Sequence, residues 1–501
     1  MLHLLNALAA RTPDATFVMY GNERYAYGHF AELVRRCANL LRTEGLEPGA
    51  RVVISVSNRP LFLICWFAVL GCRGIAVPVS HELSGEPLNY VLGNSGATML
   101  LTEATALAGV TSSGGGPGLK VLTLESEQDI VSLPVTGGSQ DDPPEDPRAT
   151  AAILYTSGTT GEPKGVMIPG GSYVAGGSEI VRAIGITAED RILTFLPLHH
   201  ANPQFYALMS ALLTGCSLIL LPRFSASGLL AQAERYQATG FTYVGTVLSI
   251  LSKVITEPKA STLRWCVGGG APELVWRDVQ HKLGLEIHEL YGMTETGAVT
   301  TINSRSHTKV GSVGRVREDL EVIVVDALDQ ALGCDAIGEI VVRPKAPNLI
   351  TSGYFAKPVE TLASLSNLWF HTGDLGRFDS EGFLYFTGRK KELFRRAGEM
   401  ISPVTIEFAA NSHPQVRESA AVALPDDILG DEIKLVVVAE GALEVHGLIT
   451  HLKARLRRVE LPRYLDVVDA IPKTSTEKIQ RFKLIENNAS TVDLQATGAA
   501  T

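Results

Sequence analysis

Charge is scarce in this chain of 501 residues: only 19% are Asp, Glu, Lys or Arg, and the net charge is −9. That balance argues against a broad polyanion-binding surface and against a nucleic-acid partner, while leaving room for a local cationic patch around a phosphorylated ligand. Cysteine is sparse and badly spaced for chemistry. The six residues Cys37, Cys65, Cys72, Cys216, Cys266 and Cys334 include no C-x-x-C pair. Most lie in apolar runs, so buried reduced thiols are expected, and neither a disulfide framework nor a cysteine metal site. The N-terminus, Met1-Leu-His-Leu-Leu, lacks a basic flank, and Arg11 and Asp14 interrupt it too early for a secretion signal. No apolar run approaches the ~20 residues that cross a bilayer. The longest, Leu61 to Cys72, is about 12 residues and reads as a buried helix. No repeat at solenoid spacing is visible. A soluble, cytosolic chain without a membrane span is expected.

What is present is apolar mass, at 45%, and glycine, 48 residues of it. The first excludes a disordered or fibrous chain. The second asks where backbone must approach something closely. The length predicts two to four units, since single cores stop growing near ~250–300 residues.

Up to about residue 110, helical patterns (Phe30–Arg42, Leu61–Leu70) alternate with apolar strands (Arg51–Val56, Ile75–Val79, Thr98–Leu101). Such alternation predicts parallel sheets covered by helices. The segments Gly109–Gly118 and Val135–Arg148 are rich in Gly, Ser, Pro and Asp and read as exposed loops. A strand at Ala151–Tyr155 follows, and strand–helix alternation runs on to about Tyr291. From Gly311 to Tyr385 short strands dominate (Glu321–Asp326, Gly338–Arg343), predicting a more antiparallel layer. Beyond Arg389 come strands at Ser419–Leu424 and Lys434–Ala439 and an amphipathic helix near Leu448–Val459. The predicted fold is α/β: a large N-terminal body of βα-layered sheets plus a β-rich subdomain, then a small mobile α+β C-terminal domain. The predicted bounds are 1–388 for the body, 389–391 for a hinge, 392–487 for the small domain and 488–501 for a flexible tail.

The densest chemistry lies in Tyr155-Thr-Ser-Gly-Thr-Thr-Gly-Glu-Pro-Lys-Gly-Val. Glycines let backbone N–H groups curl around an anion, hydroxyls add donors, and Lys164 supplies a point charge. The combination suits a nucleotide triphosphate held by Thr156, Ser157, Gly158, Thr159, Thr160 and Lys164. It is not the G-x-x-x-x-G-K-[ST] loop, because Pro163 replaces the second glycine and Gly165 follows the lysine. Tyr291-Gly-Met-Thr-Glu-Thr sets the carboxylate of Glu295 between two hydroxyls, and Mg²⁺ on a triphosphate wants hard oxygen ligands from few protein groups.

This loop resembles the phosphate-binding signature of the adenylate-forming superfamily: acyl-CoA synthetases, aryl-CoA ligases, luciferases and peptide-synthetase adenylation domains. The other signatures follow in that family's order: Leu196-Pro-Leu-His-His, Tyr291-Gly-Met-Thr-Glu-Thr, Trp369-Phe-His-Thr-Gly-Asp, Gly388-Arg-Lys-Lys-Glu and Pro472-Lys-Thr-Ser-Thr-Glu-Lys. They cover the chain from about residue 10 to 485, and the C-terminal half most resembles carnitine-type and medium-chain acyl-CoA ligases.

The resemblance implies ATP, Mg²⁺ and coenzyme A as cofactors. It implies that Glu295, with Thr160, holds Mg²⁺, that Thr294 and Glu295 belong to the catalytic set, and that Tyr291, Gly292 and Met293 pack on the nucleotide. By the same resemblance Gly268, Gly269, Gly270, Ala271 and Pro272 face adenine and part of the acyl pocket, and Asp374 and Arg389 hold the ribose. An Asp after Gly373 is by itself also an ordinary turn residue. Lys391 would be the hinge, Gly398 would line the thiol channel, and Arg395 and Arg396 would meet CoA phosphates. Lys478 would sit against the carboxylate and α-phosphate, where a cation stabilises the transferring group. Here the family's usual Ser-Gly before that lysine is replaced by Thr476-Glu477, which puts a negative charge near phosphates.

His200 would be the gate of the acyl pocket, lined further by Asn202, Gln204, Gly245, Thr246, Gly270 and Gly297. The paired His199 and His200 have no third ligand spaced for a metal. Amino-acid-activating relatives carry an Asp after this motif; none occurs between His199 and Gly215, which favours an acid without an α-amino group. Val244-Gly-Thr-Val, where relatives often have Val-Pro-Pro, and the small Gly268–Gly270 imply room for a bulky, mainly apolar acid, medium-chain or alicyclic.

The expected activity is an ATP-dependent acyl-CoA ligase passing through acyl-adenylate. No general base for the thiol is evident, and a thiol with pKa ~8.5 needs little help. Two alternatives stay open at this point: loading of a carrier protein, although no carrier domain is appended, and an adenylate-binding protein without turnover, motivated by Glu477. Monomer and homodimer are both open.

Overall fold

A computed structural model of the chain describes residues 1–104, 118–133, 146–156, 162–473, 479–486 and 491–494. These residues fall into two compact units. The first comprises Met1–Ala271, Trp276–Val322 and Val342–Phe370; the second comprises Pro272–Val275, Ile323–Val341 and His371 onward. The chain passes between them within the strands Leu320–Val325, Gly338–Pro344 and Phe370–Phe378.

The first unit holds two sheets. One has six strands in the order Lys120–Thr123, Met99–Thr102, Arg51–Ser55, Ile75–Pro78, Thr150–Thr156, Lys164–Pro169. All pairings are parallel except the last, an antiparallel hairpin that sets Thr156 opposite Lys164. The other sheet has nine strands; its centre is the parallel series Arg191–Thr194, Gly240–Val244, Trp265–Gly269 and Glu286–Tyr291. The helices Tyr27–Thr43 and Pro60–Gly71 lie in this unit's main core, with Phe30, Trp66, Phe67, Tyr173 and Phe205 among its buried aromatics. The second of these helices is apolar all round, and residues Pro60 to Val69 are all buried; a helix without a polar face has nowhere to go but inside. The apolar run Leu61–Cys72 thus becomes a core helix. Among the described residues no helix is long and apolar enough to cross a membrane.

The second unit contains a sheet built on Gly430–Ala439, which pairs antiparallel with Val416–Asp426 and parallel with Tyr464–Val467. The hairpin Phe394–Arg396 and Glu399–Ile401 extends it on one side. Helices Pro403–Asn411 and Val445–Lys453 pack on it through Ile406, Ala410, Leu448 and Leu452.

Most predicted elements lie within a residue or two of the observed ones, and several expectations need correction. The helix expected to reach Val459 stops at Lys453, after which Arg458–Glu460 is a separate 3₁₀ turn; the Glu460 side chain accepts the Arg457 backbone N–H, capping that turn afresh. The tail expected from 488 contributes structure: Val492 and Asp493 pair with Leu465 and Tyr464, and Leu494 is buried in the unit's core. The apolar Val492 and Leu494 have a core to enter, which polarity averaged over the tail concealed. Five cysteines are buried, but Cys334 is exposed, because it lies in a polar turn and not in an apolar run. The loop read at Gly109–Gly118 lies outside the described residues but for Gly118, and that at Val135–Arg148 but for Asp146–Arg148.

Candidate active site

Ligands of parallel α/β sheets bind beyond the carboxyl ends of the strands, and here those ends are stripped of side chains. Gly245 follows Gly240–Val244, Gly268 and Gly269 end the next strand, and Gly292 follows Glu286–Tyr291. A methyl group at Gly245 would sit 2.0 Å from the Gly270 carbonyl oxygen, and one at Gly292 would sit 2.1 Å from that of Ala298. Gly270 itself has φ +94°, a conformation that favours glycine. The glycines are therefore required by backbone meeting backbone.

Across these strands Tyr243, Gly268 and Glu289 stand in register. Side chains at one register position share a face of the sheet. With no side chain at Gly268, the Tyr243 hydroxyl reaches across it and donates to Glu289 Oε2 at 2.5 Å. Glu289 also accepts the N–H groups of Gly270 at 2.5 Å and Ala271 at 3.0 Å. Burial pushes the Glu289 carboxyl up to about 8, against the opposing pull of these hydrogen bonds. Sequence pattern singles out neither Tyr243 nor Glu289; Glu289 shares its strand with Glu286 and His288, so nothing local marks it.

The triphosphate loop begins and ends in the hairpin that pairs Thr156 with Lys164. Ser157, Gly158, Thr159 and Thr160 lie outside the described residues. The Lys164 ammonium stands 4.8 Å over the centre of the Tyr354 ring, whose hydroxyl donates to Glu295 Oε1 at 3.1 Å. Tyr354 is delivered there by the stretch 351–355, which bonds back to Gly165 and Met167 and to the Glu295 carbonyl. Lys164, Tyr354 and Glu295 thus form a row of cation, ring and buried carboxylate. Thr294, Glu295 and Thr296 make a 3₁₀ turn held by the Thr296 hydroxyl on Met293, and Tyr291 is buried beside it. A buried hard-oxygen donor beside a lysine fits a Mg²⁺–triphosphate: Glu295 would hold the ion and Lys164 the phosphate oxygens.

On the acyl side, the strand Arg191–Thr194 ends at Thr194, and a turn through Pro197 to His200 takes over. The following Pro203–Leu208 is a π-helical turn, a geometry frequent at functional sites. His199 and His200 lie ring to ring at 4.2 Å, and burial with the neighbouring His200 holds His199 well below the usual histidine range, hence neutral. Asn202 donates to the Tyr243 carbonyl at 3.0 Å. Gln204 is buried with both ends of its amide engaged, donating to the Leu198 carbonyl and accepting from Tyr173, and so holds the turn. Thr246 is exposed at a helix start, and Gly297 has φ +74°, with Ser172 and Leu349 too close for a side chain.

In the second unit Pro272 follows Ala271. Asp374 and Arg389 are register partners joined by an ion pair at 3.2 Å, and Arg389 also reaches Glu392 at 3.9 Å. Lys391 is exposed. Gly398, φ +84°, forms with Ala397 the turn between Arg396 and Glu399. Arg395 is exposed, whereas the Arg396 guanidinium is buried on Glu432 at 2.9 Å and on the Val459 and Leu461 carbonyls. With its donors engaged inside the sheet, Arg396 cannot serve a CoA phosphate, a correction to the expected role. Lys478 and Glu477 lie outside the described residues.

The parallel sheets, the glycine-bared strand ends and the Lys164–Tyr354–Glu295 row define a nucleotide-using α/β enzyme. The match to the AMP-binding enzyme model spans residues 5–355, and that to the AMP-binding enzyme C-terminal domain spans 405–478. The chain belongs to the AMP-binding enzyme family. It is 30% identical to a probable CoA ligase of Humulus lupulus, over 97% of this chain and 95% of that one. It is 29% identical to a crotonobetaine/carnitine–CoA ligase of Salmonella arizonae, over 92% and 93%. Among solved structures it is similar to o-succinylbenzoate-CoA synthetase from Bacillus subtilis in complex with its acyl-adenylate intermediate. That match has a TM-score of 0.86 and 27% identity, covering 98% of this chain and 99% of the other.

Proposed function

We propose that this chain, an ATP-dependent acid–thiol ligase, activates a bulky, mainly apolar carboxylic acid without an α-amino group. The acid carboxylate attacks the α-phosphorus of ATP, forming acyl-AMP and releasing pyrophosphate. The CoA thiol then attacks the acyl carbon, forming the thioester, releasing AMP and losing its proton to solvent. Bound to the triphosphate, Mg²⁺ supplies charge neutralisation. Lys164 and Lys478 place positive charge where the phosphoryl oxygens gain negative charge. Asp374 accepts ribose hydroxyl bonds and Arg389 orients it, Arg395 offers its charge to CoA, and Gly398 leaves room for the thiol arm. The segment beyond Lys391 turns about that residue between half-reactions, so that Lys478 acts only in the first.

The observation that carries this reading is the Lys164–Tyr354–Glu295 row in a fold whose strand ends are bared by glycine. The apolar acid is supported by the stretch Thr194–Gly215, which contains no Asp, Glu, Lys or Arg, and by the neutral state of His199. A charged acyl tail would find no counter-ion there. The buried free thiols of the first unit support a cytoplasmic setting. A hydroxamate-trapping screen over acids of varied size and polarity tests the reading: medium-chain and alicyclic acids should lead, and best turnover on acetate or benzoate would defeat the proposed pocket.

A further inference from the structure

We propose that Glu289 is a positioning residue that sets the wall shared by the nucleotide and the acyl group, acting through Gly270, Ala271 and Tyr243. It rests on the reading of Gly268–Ala271 as that wall. Strand register gives an acid its place here. Tyr243, Gly268 and Glu289 stand side by side on three parallel strands, and the middle position is bare. A methyl at Gly268 would lie 2.1 Å from the Tyr243 carbonyl oxygen and 2.9 Å from its ring. The phenol uses that gap to reach Glu289.

Beyond Gly269 the chain leaves the sheet, and the N–H groups of Gly270 and Ala271 lose their ladder partners. Glu289 accepts both. A buried N–H left without an acceptor is costly, so this turn is held where the carboxyl holds it. Gly270 in turn abuts Gly245, and Asn202 bonds the Tyr243 carbonyl. One side chain therefore fixes the separation of the Gly245 and Gly270 loops and connects it to the stretch that carries His200.

No atom of Glu289 need touch substrate for this, and the test must separate positioning from mere stability. Three variants serve, each with its melting temperature measured: Glu289→Leu, which removes the acceptor and keeps volume; Glu289→Gln, which keeps a carbonyl for the two N–H groups; and Tyr243→Phe, which removes only the phenolic bond. ATP binding is measured by calorimetry, and KM and kcat are measured with the best acid of the hydroxamate screen. Glu289→Leu should weaken ATP binding and raise KM for the acid at least tenfold, with kcat falling less than threefold. Glu289→Gln should restore both to within threefold of wild type, and Tyr243→Phe should raise KM for the acid threefold or more.

Wild-type binding and KM in a folded Glu289→Leu protein overturn the proposal, as does a Gln variant as impaired as the Leu variant. If Glu289→Leu does not fold, Tyr243→Phe decides: unchanged KM overturns the proposal and a raised KM at unchanged melting temperature supports it. A wild type that activates no acid defeats the underlying reading; a wild type that works beside an indifferent Glu289→Leu defeats only this inference.

Discussion

Tyr354 is the most separable element of the site, because its hydroxyl and its ring serve different partners. Tyr354→Phe removes the 3.1 Å bond to Glu295 and keeps the ring under Lys164. A hydrogen bond to a charged group contributes about 1.5–3 kcal/mol, and 3.1 Å places this one near the lower end. At 1.4 kcal/mol per decade, that is about a tenfold increase in the Mg²⁺ concentration needed for half-maximal nucleotide binding. Tyr354→Leu also removes the cation–π contact, about 1 kcal/mol for a half-buried lysine, and so weakens nucleotide binding itself about fivefold. Calorimetric titration of ATP at a series of Mg²⁺ concentrations reads both effects and needs no acid substrate. The expected pattern is a Mg²⁺ shift alone in the Phe variant and both effects in the Leu variant. If Phe leaves the Mg²⁺ dependence unchanged, or if the two variants behave alike, the row has been misread.

Gly268→Ala puts a methyl 2.1 Å from the Tyr243 carbonyl and should cost about 3 kcal/mol of stability and abolish acyl-adenylate formation; Gly398→Ala meets open space at φ +84° and should cost only about 1 kcal/mol, read by thermal melts. Arg396→Met should lower stability by about 3–5 kcal/mol by stranding the buried Glu432, whereas Arg395→Ala should leave the melting temperature alone and raise KM for CoA. Lys478→Ala should abolish ATP–pyrophosphate exchange and spare thioester formation from supplied acyl-adenylate; loss of both steps refutes the two-conformation scheme. The Glu289 carboxyl, held up to about 8, keeps its proton in the folded chain where the unfolded chain has lost it. Wild type should therefore lose stability relative to Glu289→Gln as pH rises from about 5 to 8, and a pH-independent difference in melting temperature would contradict this.

What could be read from the sequence was whatever is local. Strand, turn and glycine lie together in Trp265–Gly270, the loop and its lysine lie within 155–166, and a carboxylate between hydroxyls marks Glu295. What could not be read depends on register and packing. Glu289 and Tyr243 are 46 residues apart and meet only because three strands align with a glycine between them. Tyr354 reaches Lys164 and Glu295 because a loop folds back on the hairpin. Arg396 reads like Arg395 in a basic run, yet alternation along a strand turns one inward to Glu432 and the other to solvent. The engagement of both ends of the Gln204 amide, by Leu198 and Tyr173, likewise depends on packing.

The enzyme activates an acid as acyl-AMP and passes it to CoA. Mass spectrometry of the products from ATP, Mg²⁺, CoA and an acid panel tests this directly. For at least one bulky apolar acid, the expected products are an acyl-CoA with AMP and pyrophosphate formed in equal amounts. ADP and phosphate in their place, or nucleotide binding with no acid-dependent pyrophosphate from any member of the panel, would contradict it.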